Sequence, residues 1–117
     1  MTTLKDRRSA RKWILVAALV VAAGNSVTVV SASTGAIVAT IASNASNRLS
    51  VPVQAAFDGE RILVTNAGND SVTLFRAADL SVIGNVQLAA GSYPFGACSD
   101  GINFWVTLRG SLALLRI

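Results

Sequence analysis

The sequence predicts an all-β fold built from repeated four-strand units, and two observations carry that prediction. The first is an internal repeat. Pro52-Val-Gln-Ala-Ala-Phe-Asp-Gly59 returns as Pro94-Phe-Gly-Ala-Cys-Ser-Asp-Gly101, a displacement of 42 residues. Arg61-Ile-Leu-Val-Thr-Asn-Ala-Gly68 returns as Asn103-Phe-Trp-Val-Thr-Leu-Arg-Gly110 at the same spacing. The second is the texture of the repeat: short β-branched or apolar segments separated by Asp58-Gly59, Asn69-Asp70, Ala78-Asp79 and Asp100-Gly101. Glycine accepts positive φ without steric cost and aspartate bonds to the nearby backbone, so these pairs suit tight reversals between strands.

Taken in order, a third segment occurs three times, as Asn25-Ser-Val-Thr-Val-Val30, Asp70-Ser-Val-Thr-Leu-Phe75 and Gly110-Ser-Leu-Ala-Leu-Leu115. A fourth occurs twice, as Gly35-Ala-Ile-Val-Ala-Thr-Ile-Ala42 and Leu80-Ser-Val-Ile-Gly-Asn-Val-Gln-Leu88. Ser71-Val-Thr-Leu-Phe75 alternates, as a sheet with two distinct faces requires, whereas Ile62-Leu-Val64 and Phe104-Trp-Val106 are apolar on both. Such strands belong in the middle of a stack of sheets. Four strands in about 40 to 45 residues is the period of a propeller blade. The expected fold is therefore a partial β-propeller of about two and a half four-stranded blades, an incomplete ring. The repeat region runs over 24–117, with two strands in 25–42, a full blade in 52–88 and a partial blade in 94–117. An open stack exposes an apolar face and unpaired edges, so the expected partners are further blades or self-association.

At these residues the chain resembles a known family. Pro-x-x-x-Ala-x-Asp-Gly, then Val64-Thr65-Asn66, then Asn69-Asp-Ser-Val-Thr73 and Val82-Ile-Gly84 are similar to the YVTN-type repeat of bacterial β-propellers. That resemblance implies a secreted or surface-attached repeat domain acting in binding or as a scaffold. It departs at Leu108, where the second unit has no asparagine, and at Ser99 before Asp-Gly. Asp100-Gly-Ile-Asn-Phe-Trp105 also resembles the repeats of virginiamycin B lyase-like propellers. That likeness implies a histidine general base, and the chain contains no histidine, so such an activity would need residues outside it.

Charge sorts the remaining functions. Hydrophobic residues make up 52% of the 117 and charged ones 14%, which argues against disorder. The net charge of +4 lies wholly in the first twelve residues, at Lys5, Arg7, Arg8, Arg11 and Lys12 against Asp6. The rest is neutral, so no counterion release drives phosphate binding and nucleic acid is not an expected partner. The basic stretch precedes an apolar run from Trp13 to Ala23, then Gly24-Asn-Ser26, the layout of a signal peptide cut before Gly24. Residues 1–23 are thus expected to be a signal peptide or N-terminal apolar segment, and the protein exported. Eleven apolar residues are short for a bilayer span, which takes about 20, so contact with a membrane is expected only through an uncleaved segment. The competing reading makes Ala18 to Gly24 a strand, aligned with the Ile62 segment.

No catalytic residue, cofactor or metal site is expected. Without histidine, Ser-His and Cys-His catalysis and mixed zinc sites are excluded within this chain. Asp58 and Asp100 precede glycine at one repeat position and read as turn residues. Cys98 reads as a small buried strand residue. Asn66-Ala-Gly-Asn-Asp70 lacks the length and acid count of a calcium loop and reads as a hairpin turn. If the surface binds a protein or small molecule, the expected face is the one where loops gather around the channel, carrying Asn66, Asn69, Asp70, Tyr93 and Arg109.

Overall fold

The computed structural model describes residues 16–21, 25–31 and 33–117, the first range by its backbone alone. These residues form ten strands and, among them, no helix. The first sheet joins β1 (Val16–Val21), β2 (Ser26–Ser31) and β3 (Ile37–Ala42). The second joins β4 (Pro52–Phe57), β5 (Arg61–Asn66), β6 (Ser71–Arg76) and β7 (Val82–Gln87). The third joins β8 (Pro94–Ser99), β9 (Phe104–Leu108) and β10 (Ala113–Arg116). Each sheet is an antiparallel meander of consecutive strands. The first sheet has one strand more than the two expected in 25–42, because Val16–Val21 pairs along the whole of β2.

The pairing repeats residue by residue. Adding 45 to the partners in the first sheet gives those in the second: Val16 with Ser31 becomes Arg61 with Arg76, and Ser26 with Ala42 becomes Ser71 with Gln87. The bulge at Val29/Val30 recurs at Leu74/Phe75. Adding 42 carries the second sheet onto the third, with Pro52 and Asn66 becoming Pro94 and Leu108, and the bulge after Pro52 becoming the bulge after Pro94. The two spacings differ because nine residues link β3 to β4 and six link β7 to β8. The constant spacing corrects one alignment. β10 begins at Ala113, opposite Leu108, so the equivalent of Ser71-Val72 is Ala113-Leu114 rather than Ser111-Leu112.

Apolar burial explains why the second sheet sits between the other two. On one face Ile62, Val64 and Phe75 pack with Val27 and Val29 of β2. On the other, Leu63, Val72 and Leu74 pack with Phe104 and Val106 of β9. Both faces of β5 and β6 are thus covered: the apolar run Ile62-Leu-Val64 requires it in β5, and in the alternating β6 the polar face is covered as well, Ser71 and Thr73 being buried with Val72 and Leu74. Burying side chains such as Leu63 and Phe75 contributes about 1.5–3 kcal/mol each. β4 lies against β1 and β8, so the sheets meet along their first strands. The three sheets form an open series.

Thr65 locks two of these sheets together. At the bulge in the β4–β5 ladder its hydroxyl accepts the Gln54 N–H at 3.1 Å and donates to the Phe95 carbonyl of β8 at 2.8 Å. Thr107 repeats the first half, accepting the Gly96 N–H at 2.8 Å, but it lies on the uncovered face of the third sheet. Cys98 sits on that face too. It is in β8 but exposed, not buried as expected, because its counterpart Ala56 is covered by the third sheet while none of the described residues covers this face of the third sheet in turn.

The contrast yields a paired prediction. Thr65→Val should destabilise the fold by about 1–3 kcal/mol, since it strands a buried carbonyl and N–H, while Thr107→Val should cost less than about 0.5 kcal/mol. Urea unfolding of the two variants measures both; equal costs would show that the cross-sheet bond is unimportant.

Candidate functional site

The loops at one end of the strands are built around close backbone contacts. The β5–β6 turn is zipped to the β3–β4 linker by Ala67 N–H to the Val51 carbonyl at 3.1 Å and Gly68 N–H to the Ser50 carbonyl at 3.0 Å. The β9–β10 turn repeats this with Arg109 N–H to Tyr93 at 3.0 Å and Gly110 N–H to Ser92 at 2.9 Å. The approach is so close that a Cβ on Gly110 would overlap the Gly91 carbonyl, so only glycine fits there.

A carboxylate fastens the second of these linkers. Asp70 accepts the Tyr93 N–H at 2.7 Å through one oxygen and the Gly91 N–H at 2.8 Å through the other. Asn25 does the same one unit earlier, accepting the Val51 N–H at 2.7 Å. In both cases the holder and the held residue have left-handed backbones, with φ of 54° at Asp70 and 51° at Tyr93, 48° at Asn25 and 44° at Val51. Asparagine and aspartate tolerate that region, but a valine or tyrosine is strained there by roughly 1–3 kcal/mol, which the clasp offsets. In the third sheet the equivalent residue is Leu112, at φ 54° and 91% exposed, with no oxygen to offer.

The expected site residues divide into two groups. Asn66 is fully buried: it donates to Thr73 at 2.9 Å and Ser71 at 3.2 Å, and accepts the Ser50 N–H at 3.3 Å. It therefore holds the linker between the first two sheets rather than facing a ligand. Asn69 likewise binds the Arg48 carbonyl at 2.9 Å and the Ser71 hydroxyl at 2.6 Å, and Asp70 is engaged in the clasp. Tyr93 and Arg109 remain at the surface, joined by Phe95, which the sequence reading missed. The Arg109 guanidinium carbon lies 5.7 Å from the Tyr93 ring centre and 5.2 Å from that of Phe95, and the rings stack 6.1 Å apart. The left-handed backbone at Tyr93 and the bulge after Pro94 hide Phe95 from simple alternation, and the Arg109 N–H bond to the Tyr93 carbonyl brings the three side chains together.

Chemically this cluster suits recognition. Stacking on two rings holds the guanidinium flat and adds about 0.5–1 kcal/mol per exposed cation–π contact. Among the described residues no acceptor takes the Arg109 side-chain N–H groups, which leaves a planar donor fork beside two aromatic faces of about equal exposure, Tyr93 and Phe95 at 39% each. Such a surface fits a carboxylate or a flat or sugar-like ring. Among the described residues, no three His, Cys, Asp or Glu gather closely enough to hold a metal ion.

Asp58 and Asp100 are turn devices. Asp58 accepts the N–H groups of Glu60 at 2.9 Å and Arg61, and pairs with the Arg61 side chain at 2.8 Å. Burial alone would raise its pKa, but these donors together hold it below the ordinary value. Arg61 in turn lies 5.1 Å over the Phe104 ring of the next sheet. Asp100 accepts the Asn103 N–H at 2.7 Å, the Ile102 N–H at 2.9 Å and the Trp105 indole N–H at 2.8 Å. The Asp-Gly-x-x-x-Trp spacing therefore makes a closed turn. The Asn103 N–H, then the indole, then the Ile102 N–H lower the Asp100 pKa to about 2. In comparison with known proteins, no family model and no curated protein matches the chain.

The depressed Asp100 pKa has a defined pH signature. Because the folded value lies below the unfolded one of about 4, its stabilisation is complete above that pH and is lost as pH falls through about 2. In a carboxyl-detected NMR titration, Asp100 and the Trp105 indole N–H should move together with a midpoint near 2, and Trp105→Phe should raise the midpoint. A midpoint at the ordinary aspartate value would show that the turn bonds are absent.

Proposed function

We propose that the chain is a non-catalytic repeat module of the β-propeller kind, exported, whose loop end serves for binding or as a surface scaffold. The observation that carries this reading is the recurrence of register, bulge and loop clasp from sheet to sheet, with the second sheet buried on both faces. On this reading the sheets are three consecutive blades, the outer two each one strand short of the middle one. The YVTN-like residues Val64, Thr65 and Asn66 gain a physical role in it: Val64 fills the core, Thr65 bridges to the next sheet and Asn66 holds the incoming linker. Tyr93, Phe95 and Arg109 are the recognition surface.

Export rests on the basic stretch ending at Lys12 and the apolar run after it. Of residues 1–23, 1–15 and 22–23 lie outside the described residues and 16–21 form β1, so a cut before Gly24 removes β1 and leaves β2 as the innermost strand of the first sheet.

Two measurements test the reading. The chain is screened on an array of glycans, acidic peptides and aromatic acids; a ligand should be retained, recovered chemically unchanged, and lost by about tenfold or more in Arg109→Ala. Recovery of a cleaved ligand, or binding indifferent to both Arg109 and Tyr93, would overturn it. N-terminal sequencing of protein secreted by a bacterial host should begin at Gly24; soluble cytoplasmic protein that retains Met1 would refute export.

A further inference from the structure

Two segments of the chain carry the asparagine-x-serine triplet that an oligosaccharyltransferase reads, Asn44-Ala45-Ser46 and Asn69-Asp70-Ser71. As sequence the triplets are alike, but the fold treats them differently. Asn69 is fully employed: its amide nitrogen donates to the Arg48 carbonyl at 2.9 Å and its amide oxygen accepts the Ser71 hydroxyl at 2.6 Å. Ser71 is 0% exposed, and its hydroxyl also takes bonds from Asn66 at 3.2 Å and Asn85 at 3.0 Å. Neither the amide to be modified nor the hydroxyl that must accompany it is free.

Asn44 is the opposite case. It lies in the linker between β3 and β4, and residues 43–46 are exposed in succession. Its amide oxygen accepts the Ser46 N–H at 2.9 Å and the Asn47 N–H at 2.8 Å, which fixes the side chain across the triplet. Its amide nitrogen has no acceptor among the described residues, and the Ser46 hydroxyl has no partner among them. The turn is anchored by other groups. Arg48 N–H bonds the Asn44 carbonyl at 2.8 Å, and the buried Asn47 side chain accepts the Asn44 N–H at 3.0 Å and donates to the Ala42 carbonyl at 2.9 Å. Both reactive groups of the triplet are therefore presented to solvent on a fixed turn.

We propose that Asn44 is the acceptor of an N-linked glycan and that Asn69 is not. The donor is a lipid-diphosphate-linked oligosaccharide. The Asn44 amide nitrogen attacks its anomeric carbon, an N–C bond forms, and the C–O bond to the diphosphate breaks. The lipid diphosphate leaves with the electron pair, and one amide proton passes to a base of the transferase. The proposal rests on the export reading, since the transferase and its donor act in the export compartment. The site lies in a different linker from Tyr93 and makes no use of that surface.

The test is made on the purified, folded full chain incubated with solubilised endoplasmic-reticulum membranes, which supply transferase and donor. Export itself is thereby bypassed and stays with the N-terminal sequencing above. Peptide mapping after release with peptide N-glycosidase should find the glycan on Asn44 and leave Asn69 unmodified. Ser46→Ala removes a hydroxyl that bonds to none of the described residues, so modification should fall about tenfold or more with urea unfolding unchanged, while Ser46→Thr should retain it. No glycan on Asn44, an Asn44 glycan indifferent to Ser46→Ala, or equal modification of Asn69 in the folded chain would overturn the proposal.

Discussion

A strand that is apolar on both faces needs a sheet on each side of it, and β5 imposes that condition on the whole molecule. Ile62 and Val64 point one way, Leu63 the other, and all three are buried. Polar side chains on the same strand then serve the stacking. Thr65 crosses to the third sheet and Asn66 faces the first, where it meets Ser50. The sheets on either side are held by what β5 presents to each.

The two interfaces solve the same problem with different chemistry. Between the first and second sheets lies a buried polar network in which Thr73 donates to the Asn47 carbonyl at 2.6 Å and Asn85 bonds Thr73 and Ser71. Asn47 itself is fully buried, its amide oxygen accepting the Asn44 and Leu49 N–H groups. The longer linker supplies this asparagine. In the third sheet the positions of Asn66, Ser71 and Thr73 are held by Leu108, Ala113 and Leu115, and the shorter linker brings no counterpart to Asn47. At this interface the Ser92 hydroxyl is buried without a partner among the described residues.

Much of this was legible in the sequence because period and alternation are written into residue types. The 42-residue repeat, the Asp-Gly turns and the double-faced character of Ile62-Leu-Val64 led directly to strands in stacked sheets. Less visible were features that depend on a partner far along the chain. The strand β1 was obscured because an apolar run such as Val16 to Val21 satisfies a leader peptide and a buried strand equally well. The two-residue error at β10 arose because Ser-x-Ala-x alternation fits either register, and only the bonds of Gly110 and Phe104 choose between them. Amides are usually exposed in turns, so the residue type of Asn66 points to the surface; its burial follows from the linker that crosses it. Phe95 escaped because its role needs Arg109 beside it.

Among the described residues every strand pairing joins strands adjacent in sequence, and the second sheet packs against each of the other two. A chain so connected behaves as a one-dimensional array, in which the free energy is a sum of unit terms and neighbour couplings. Each outer sheet has one coupling and the second sheet has two. Opening should therefore run inward from the ends, with the slowest amide exchange in β5 and β6, and local hairpin closure should make the early steps of folding fast. The clasp at Asp70 couples the second and third sheets through the chain itself, so it transmits cooperativity as well as shape. Leu112 holds the corresponding place in the third sheet and carries no side-chain oxygen for such a clasp.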